Sequence, residues 1–369
     1  MGKKLILAVA GAGKTYSICH YIDPSKRNLI LAFTNQNINN IKSELIDACG
    51  TIPDKTYVST FDSFVHKYCL MPYEPSIKKS FGVEIKTHKK LTFKEPPSKQ
   101  IKTSNNRYIR NPKYKTKDEF EHYCDDGYYY CSTMTELLLN SKDSNKKKLI
   151  NRILKNINQF FDQVMIDEFQ DFREKNFDFL IALSKNMNNI TFVGDYFQHS
   201  VSGKNNSGKP FKNVNYDDFL KKMEGYKFEV DTSTLSKSRR CSKDVCDFIS
   251  KKLNIPIKSE GLNEGKVIML NDMTEIKKVL YNDSIVKLVY QEANKYNFNS
   301  INWSYSKGDT YSCTCVILIP AYDNINDIDF SPTSNITLNS LYVAITRSEG
   351  NVYLVKNKDF KKIKDYFLY

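Results

Sequence analysis

The stretch LILAVAGAGKT, from Leu5 to Thr15, decides the fold of this chain. Its short apolar run is typical of a buried β-strand, and the run breaks into a glycine-rich turn ending in Lys14-Thr15, where we expect a helix to begin. The backbone N–H groups of such a turn point inward, and the N-terminus of the helix adds partial positive charge. The stretch therefore predicts a loop that binds polyphosphate. A turn without a ligand explains the combination of strand, GxGKT and helix pattern less well.

The residue types within this phosphate loop indicate separate roles. Gly11 and Gly13 let the backbone approach a phosphate closely because they have no Cβ. We expect Lys14 to reach the β- and γ-phosphates of a nucleotide and Thr15 to place its hydroxyl on Mg²⁺. Ala8 stands where the motif usually has its first glycine. The predicted nucleotide-binding residues of the loop are Ala10, Gly11, Ala12, Gly13, Lys14, Thr15 and Tyr16.

Length and charge narrow the class of protein. With 369 residues the chain is long enough for two or three domains. Its 55 basic and 42 acidic residues leave a net charge of +13, and it contains 24 Tyr and 22 Phe. Excess positive charge together with many aromatic rings favours a polyanionic partner whose bases stack on the rings. A generally lysine-rich proteome is the competing explanation of the charge.

The cysteines and the apolar runs indicate a cellular compartment. The nine cysteines have no framework spacing, which favours free thiols in a reducing environment. Neither Cys313 and Cys315 nor the group His122, Cys124 and Cys131 matches a paired zinc-binding pattern, so we interpret them as buried thiols. No apolar run approaches the ~20 residues of a membrane span, and no signal peptide is visible. The sequence predicts a cytoplasmic protein without membrane association.

Apolar runs and helical patterns alternate after the phosphate loop, which predicts a parallel sheet with helical crossovers. Asn28 to Phe33 and Thr56 to Ser59 are the next predicted strands. Residues 78–148 are crowded with Lys, Asn, Tyr and Pro, and we interpret them as an inserted subdomain that is helical near Met134 to Leu139. This insertion suits contact with a phosphodiester backbone, and a solvated insertion is the equal alternative.

Two later strands end in polar residues that a phosphate loop requires. The strand from Gln163 to Ile166 is followed by Asp167 and Glu168, which we expect to hold Mg²⁺ and to act as general base for an attacking water, respectively. An acidic helix start that complements a helix dipole is the alternative. The strand from Ile190 to Val193 precedes Gln198, which is positioned to contact a γ-phosphate.

The rest of the chain predicts a second α/β domain. We expect a flexible loop over Ser202–Pro210, a strand over Phe228–Thr232, a helix opened by Leu235–Arg240, a helix over Ile276–Val289, a strand over Cys315–Ile319, a helix over Leu338–Arg347 and a last strand over Asn351–Val355. The predicted division is 1–77 with 149–225 for the first domain, 78–148 for the insertion and 226–369 for the second domain.

The order of these landmarks resembles that of a known family. The segments AVAGAGKT, LAFTNQN, STFDSF, MIDEFQDF, VGDYFQ, LSKSRRC, SKGDTY and LYVAITRS occur in the order of the motifs of UvrD/Rep-like helicases of superfamily 1. The resemblance covers nearly the whole chain and is closest to compact members found in phages and mobile elements. It implies two RecA-like P-loop domains with parallel sheets, ATP and Mg²⁺ bound between them, and single-stranded DNA lying across both.

The resemblance also assigns residues. It implies that Lys14, Glu168, Gln198, Arg240 and Arg347 are catalytic, the two arginines coming from the second domain, and that Thr15 and Asp167 bind the metal. Arg239 stands where the family has the aromatic residue that stacks on adenine, so we expect it at the nucleotide. The implied DNA-binding residues are Phe33, Thr34, Asn35, Thr60, Phe64, Ser306, Lys307 and Gly308.

Three functional hypotheses follow. The leading one is a DNA-stimulated ATPase that translocates on single-stranded DNA, 3′ to 5′ by resemblance, and unwinds duplexes or single/double-strand junctions. The second is a regulatory, DNA-sensing ATPase subunit that controls a partner nuclease, for example in phage defence. The third, a small-molecule P-loop kinase, predicts no arginines from a second domain, which disfavours it.

Overall fold

The structure, a computed structural model, describes residues 2–84, 90–199, 208–331 and 335–369. Its strands are β1 (Gly2–Leu7), β2 (Asn28–Ala32), β3 (Thr56–Thr60), β4 (Lys90–Thr92), β5 (Gln100–Lys102), β6 (Tyr108–Arg110), β7 (Cys124–Asp125), β8 (Tyr128–Tyr130), β9 (Gln163–Ile166), β10 (Asn189–Gly194), β11 (Glu229–Asp231), β12 (Lys237–Ser238), β13 (Lys258–Ser259), β14 (Val267–Leu270), β15 (Val286–Val289), β16 (Ser300–Asn302), β17 (Thr314–Ile317) and β18 (Val352–Val355). Its helices are α1 (Lys14–His20), α2 (Asn35–Cys49), α3 (Phe61–Phe64), α4 (Glu74–Ser80), α5 (Met134–Asn140), α6 (Leu149–Phe160), α7 (Glu174–Asn186), α8 (Tyr216–Gly225), α9 (Lys243–Leu253), α10 (Met273–Tyr281), α11 (Asn335–Ile345) and α12 (Asn357–Phe360).

A six-stranded sheet in the order β11-β1-β10-β9-β2-β3 forms the centre of what we call the first unit, and all its pairings are parallel. Every residue of β2 is buried, as expected for a parallel strand covered by helices on both faces. After β2, the Thr34 hydroxyl accepts the Asn37 N–H at 3.1 Å and so begins α2, which ends at Gly50 with φ 75°. The carboxyl ends of the parallel strands thus meet at one edge of the sheet.

The edge strand β11 differs from the predicted domain organisation. A strand near Phe228–Thr232 was expected to open the second domain. The structure instead pairs β11 with β1, so that Lys4, Leu5 and Ile6 lie opposite Glu229, Val230 and Asp231. A three-residue strand carries no sequence signal for the sheet it joins, because pairing with β1 depends on contacts across more than 220 residues.

The insertion divides into a packed part and an exposed part. Helix α5 confirms the helical prediction near Met134 to Leu139, and its Met134 and Leu137 belong to the same buried cluster as Leu29 and Phe179 of the first unit. Strands β4, β8 and β7 form a small sheet. Strands β5 and β6 form a separate antiparallel hairpin in which every residue is exposed.

A five-stranded parallel sheet, ordered β14-β18-β17-β15-β16, forms the centre of the second unit. Two predicted helices need correction here. The helix expected over Ile276–Val289 ends at Tyr281, because the polar segment Asn282-Asp283-Ser284 breaks it and the β-branched run that follows forms β15. The segment Leu235–Arg240 is not helical. It contains β12, and α9 begins only at Lys243, where the Ser242 hydroxyl accepts the Val245 N–H.

The two units pack against each other through one continuous buried cluster. This cluster contains Val9 and Ala12 of the phosphate loop together with Leu341 and Ile345 of α11. Within the described residues, no helix is both long and apolar enough to cross a membrane. Most of the predicted Ser202–Pro210 loop lies outside the described residues. The mixed α/β architecture with parallel sheets confirms the predicted fold class.

Candidate nucleotide site between the two units

The phosphate loop connects β1 to α1 as the sequence predicts. Gly11 and Gly13 have φ of 72° and 79°, the left-handed region that glycine adopts without strain, and Gly13 is the N-cap of α1. A Cβ on Gly11 would lie 2.6 Å from the Cβ of Arg240 and 2.8 Å from the Oγ of Ser238. The loop therefore needs glycine both for its own conformation and for the approach of the second unit.

A cavity of about 280 Å³ opens beside this loop. Its wall consists of Gly11, Ala12, Gly13, Lys14, Thr15, Tyr16, Asn37, Asn40, Glu44, Asp167, Glu168, Gln198, Arg240, Gly308 and Arg347. The predicted residue Ala10 is buried behind the loop and does not reach the cavity. Residues from distant parts of the sequence thus converge on one concave site, as expected of a ligand pocket.

The end of β9 delivers the two predicted acids. The Asp167 N–H donates to the carbonyl of Leu31 at 2.8 Å, which fixes this turn against β2. Glu168 follows with φ 50°, an unusual conformation for a residue other than glycine. Its Oε1 lies 3.4 Å from Nζ of Lys14. The turn therefore brings the acid beside the lysine of the phosphate loop.

The two neighbouring acids differ in their electrostatic environment. Burial and the negative charge of Glu168 raise the pKa of the Asp167 carboxyl above its usual range. Burial alone would raise the pKa of Glu168 as well, but Lys14 and Lys307 outweigh it and lower that pKa. Asp167 is thus a buried carboxyl that has no ion pair within 4.0 Å among the described residues, and Thr15 lies on the same cavity wall. This hard-oxygen donor set fits Mg²⁺.

Polar contacts connect these acids to the end of β10. The Gln170 side-chain amide donates to Glu168 Oε2. The Oε1 of Gln170 accepts the Asp195 N–H at 3.1 Å. Asp195 in turn accepts from Gln198 Nε2 at 2.8 Å. A Cβ on Gly194 would lie 2.1 Å from the Gln170 oxygen, so this position requires glycine. Gln198, which was predicted to contact the γ-phosphate, lies on the cavity wall and is held by the buried carboxylate of Asp195 behind it.

The second unit contributes two guanidinium groups to the cavity. Arg240 donates to the carbonyl of Thr346 at 3.2 Å, while Arg347 donates to the carbonyls of Val343 at 2.9 Å and Asp309 at 3.3 Å. Burial and the nearby Arg240 lower the pKa of Arg347 to about 10, which leaves it protonated at neutral pH. In the described parts of the chain, neither arginine has a carboxylate within 4.0 Å. The cavity therefore has two cations available for an anionic ligand.

The positions of Lys307 and its neighbours differ from the DNA-binding role predicted for them. Nζ of Lys307 lies 2.6 and 2.8 Å from the Asp171 oxygens and 3.9 Å from Glu168 Oε2. Ser306 is buried and donates to the carbonyl of Trp303 at 2.7 Å, and Gly308 lies on the cavity wall. These three residues were expected to face DNA. Lys307 instead reaches the half-buried carboxylates of the first unit, Ser306 lies in the interior, and Gly308 faces the cavity.

The predicted DNA-binding residues of the first unit occupy the sheet edge at the ends of β2 and β3. Thr34 and Asn35 are exposed, Thr60 is half-buried, and the half-buried Phe33 packs edge-to-face on Phe172 with ring centroids 5.6 Å apart. Phe64 differs from them. It is fully buried and stacks on Tyr68 at 5.6 Å, because α3 turns this side chain into the core, so the prediction that Phe64 faces DNA is wrong.

An aromatic and cationic group borders the cavity mouth. Tyr16 stacks on His20 with ring centroids 3.7 Å apart, and the Arg239 guanidinium lies 5.2 Å from the Tyr16 ring centroid. Arg239 is further fixed by Glu260 at 2.9 Å. The predicted residues Tyr16 and Arg239 are therefore in direct cation–π contact at the partly exposed mouth of the cavity. Such a pair can hold a flat base by stacking and cation–π contact.

Several residues at the site were missed by the sequence analysis. Asn37, Asn40 and Glu44 line the cavity from α2, where their spacing of three and four residues places them on one helical face. That spacing was a usable signal. Tyr342 of α11 was noted only as a helix residue. Its hydroxyl accepts the Ala10 N–H at 2.8 Å and donates to Asp195 at 3.0 Å.

The fold and this cavity define an α/β phosphate-loop protein whose site lies between two parallel-sheet units. Residues 2–204 match the family model described as an AAA domain, AAA_19, and since this is more than half of the chain, the chain belongs to that family. This membership confirms the resemblance to UvrD/Rep-like proteins and implies that the chain binds a nucleotide.

The chain is also similar to one curated protein and to solved structures that are described as helicases. A probable DNA helicase II homolog of Mycoplasma capricolum subsp. capricolum is 26% identical over 321 residues, which are 74% of this chain and 41% of the relative. The chain thus spans less than half of that relative. Among solved structures, the arterivirus nonstructural protein 10 helicase is 12% identical with a TM-score of 0.47, and the match covers 95% of this chain and 59% of that one. The PRRSV helicase is 13% identical with a TM-score of 0.44, covering 99% and 54%.

Proposed function

We propose that this chain is an ATPase stimulated by single-stranded DNA, which hydrolyses ATP in the cavity between its two units and uses the cycle to move on DNA. The observation that carries the proposal is the convergence of Lys14, Glu168 and Gln198 from the first unit with Arg240 and Arg347 from the second on one cavity. A motor needs its hydrolytic residues divided in this way, since only then does hydrolysis depend on how the units sit together.

The first unit supplies the groups that bind and activate. Lys14 and the backbone N–H groups of the loop hold the phosphates, as the positive N-terminus of α1 favours. Thr15 and Asp167 hold Mg²⁺, which supplies charge neutralisation at the phosphates when bound. Glu168 is the general base: its lowered pKa keeps it ionised, and it accepts the proton of the attacking water. Gln198 contacts the γ-phosphate.

The second unit supplies positive charge where hydrolysis develops negative charge. Among the described residues, the side chains of Arg240 and Arg347 donate hydrogen bonds only to Thr346, Val343 and Asp309 of their own unit. Their charges are therefore available to the γ-phosphate, in the manner of arginine fingers. Tyr16 and Arg239 hold the base. We propose that residues 2–77 with 149–231 form the first domain, 78–148 the insertion and 232–369 the second domain.

The exposed residues at the carboxyl edge of the first sheet support a DNA path there. Thr34 and Asn35 offer a hydroxyl and an amide at the start of α2, and Thr60 offers a second hydroxyl at the end of β3. Backbone-directed polar contacts of this kind bind phosphates without reading sequence. We propose that single-stranded DNA runs along this edge, with 3′-to-5′ movement and duplex unwinding as the family suggests.

The test is steady-state ATP hydrolysis by the purified chain with and without an oligothymidine, with Lys14→Ala as the blank. We expect DNA to raise kcat at least tenfold, and strand-displacement assays then decide between translocation and unwinding. Unchanged hydrolysis at saturating DNA, with nucleotide still bound, would overturn the motor. That result would favour the regulatory alternative, a DNA-sensing subunit that switches a partner nuclease.

A further inference from the structure

The hairpin of β5 and β6 presents two chemically different faces. Lys102 lies opposite Tyr108, Gln100 opposite Arg110, and Ile101 opposite Ile109. Because side chains alternate along a strand, Lys102, Tyr108 and Arg110 share one face. We call this face the hairpin cationic face. Tyr108 is 66% exposed on it.

The charge around this face is uncompensated. Residues 99–110 contain four basic residues, Lys99, Lys102, Arg107 and Arg110, and no acidic residue. Within the described residues none of these four takes part in an ion pair. The combination of these cations with the exposed Tyr108 ring is complementary to a single strand of nucleic acid, which offers phosphates and stacked bases together.

We propose that the hairpin cationic face is a second contact for single-stranded nucleic acid, in which a base stacks on Tyr108 while Lys102 and Arg110 contact the flanking phosphates. This inference rests on the proposed function, which supplies the DNA partner. It goes beyond that proposal because the hairpin belongs to the insertion and not to the sheet edge that carries Thr34 and Thr60. The insertion thereby becomes part of the DNA path.

The test measures binding of a labelled oligothymidine to the full chain by fluorescence anisotropy over a range of salt. We expect Tyr108→Ala to weaken binding about tenfold by removing one stacked base. The double variant Lys102→Gln/Arg110→Gln should lower the slope of log K against log salt by about 1.4, since each lost phosphate contact on a single strand contributes ~0.7.

Matched controls lie on the second unit. Tyr366 is 67% exposed and has Lys277 5.0 Å from its ring centroid, so Tyr366→Ala removes an equivalent cation-flanked ring. Lys278→Gln/Lys361→Gln removes two exposed charges. Both controls should bind as wild type. Hairpin variants that bind like these controls would overturn the hairpin contact alone, whereas a wild-type chain that binds no oligonucleotide would overturn both the DNA partner and this inference.

A separate observation concerns Tyr342, which is fully buried on α11 of the second unit. Its hydroxyl bridges two groups of the first unit, accepting the Ala10 N–H of the phosphate loop at 2.8 Å and donating to Asp195 Oδ2 at 3.0 Å. The same Asp195 oxygen accepts from Gln198 Nε2 at 2.8 Å. One hydroxyl therefore touches both the phosphate loop and the carboxylate that holds the γ-phosphate contact.

We infer that Tyr342 is a positioning residue that sets the phosphate loop and Gln198 according to the position of α11, the helix that ends just before Arg347. If α11 moves, the Ala10 N–H and the Asp195 carboxylate lose their shared partner, and buried polar groups without partners are unfavourable. The position of the arginines and the geometry of the first unit are then coupled through this hydroxyl. The inference rests on the proposed hydrolysis.

Tyr342→Phe tests this role because it keeps the packed ring and removes only the hydroxyl. We expect kcat to fall about tenfold while KM for ATP changes less than threefold. Tyr322→Phe is the matched control, since Tyr322 is an equally buried tyrosine whose hydroxyl donates to Thr337 at 3.1 Å. Equal kcat for wild type and both variants would overturn the inference, even if both variants melt at lower temperature.

A second variant, Asp195→Asn, keeps the role testable if Tyr342→Phe does not fold. It should also lower kcat with little change in KM, and an unchanged kcat would contradict the inference. A wild-type chain without hydrolysis would instead show that the proposed function itself is wrong.

Discussion

The two walls of the cavity are built differently. The first wall, Lys14, Asp167, Glu168 and Gln198, comes from loops at one edge of one sheet, and its Lys14 and Glu168 are already paired with each other. The second wall, Arg240 and Arg347, is held by backbone carbonyls of its own unit and lacks carboxylate partners among the described residues.

Contacts that cross between the units come from other residues. Lys307 reaches Asp171 and Glu168, and Tyr342 reaches Ala10 and Asp195. The difference teaches that the arginines do not hold the units together, so they remain available to a ligand. We propose that the first wall binds the nucleotide and that the second wall acts on it.

The largest expected effect comes from removing the cation of the first wall. Lys14→Ala deletes the partner of Glu168 and the charge expected at the β- and γ-phosphates, so both nucleotide binding and hydrolysis should be lost, the latter by about 10³-fold or more. Measurement is by nucleotide titration and phosphate release. Lys26→Ala, at a surface lysine of the same unit that pairs with Asp23 at 3.4 Å, is the control. Substantial hydrolysis by Lys14→Ala would remove the basis of the first wall.

Glu168→Gln should separate binding from hydrolysis within the first wall. The amide keeps the size of the side chain but cannot accept a proton, so hydrolysis should fall about 10²- to 10⁴-fold while nucleotide affinity is retained. Single-turnover hydrolysis at saturating ATP measures the chemical step. Retention of more than a tenth of the wild-type rate would mean that another group is the general base.

Lys307→Gln tests the contact that Lys307 makes with the acids of the first unit. Loss of its charge removes the closest cation of Asp171 and one of two cations that lower the pKa of Glu168. We expect kcat to fall about tenfold and the melting temperature to drop, because the half-buried carboxylate of Asp171 loses its partner. Lys266→Gln, which changes an exposed lysine of the same unit, should alter neither value. A variant with lower stability and wild-type kcat would limit Lys307 to holding the units together.

The smallest effect is expected from a substitution beside the base of the nucleotide. Tyr16→Leu removes the ring that faces Arg239 but leaves every phosphate contact, so KM for ATP should rise about fivefold at unchanged kcat. The comparison of ATP with GTP, CTP and UTP shows whether the ring also selects the base. If KM for all four nucleotides stays at its wild-type value, the base does not contact the Tyr16–Arg239 pair.

The sequence was most informative where function depends on a short segment. The phosphate loop and the acids after β9 could be predicted, because strand, turn and helix signals lie within a few residues of the side chains they position. Arg347, which follows α11, was assigned only through the family resemblance. Parallel sheets were predictable from alternating apolar strands and helical patterns.

Side-chain contacts between distant segments could not be predicted in this way. Lys307 and Asp171 are 136 residues apart, and Tyr342 and Ala10 are 332 residues apart, so nothing local signals either contact. The burial of Phe64 follows from how α3 packs in the core of the first unit, which periodicity does not specify. The prediction for β11 was wrong for the same reason, since the sheet that a short strand joins depends on tertiary contacts.

The most direct test of the division between binding and acting is a comparison of nucleotide Kd and kcat in Arg240→Ala/Arg347→Ala. The account predicts a Kd within about threefold of wild type, because the first wall is intact, together with hydrolysis reduced to the level of Lys14→Ala, with or without DNA. Hydrolysis near the wild-type rate, or a Kd weakened as much as in Lys14→Ala, would contradict it.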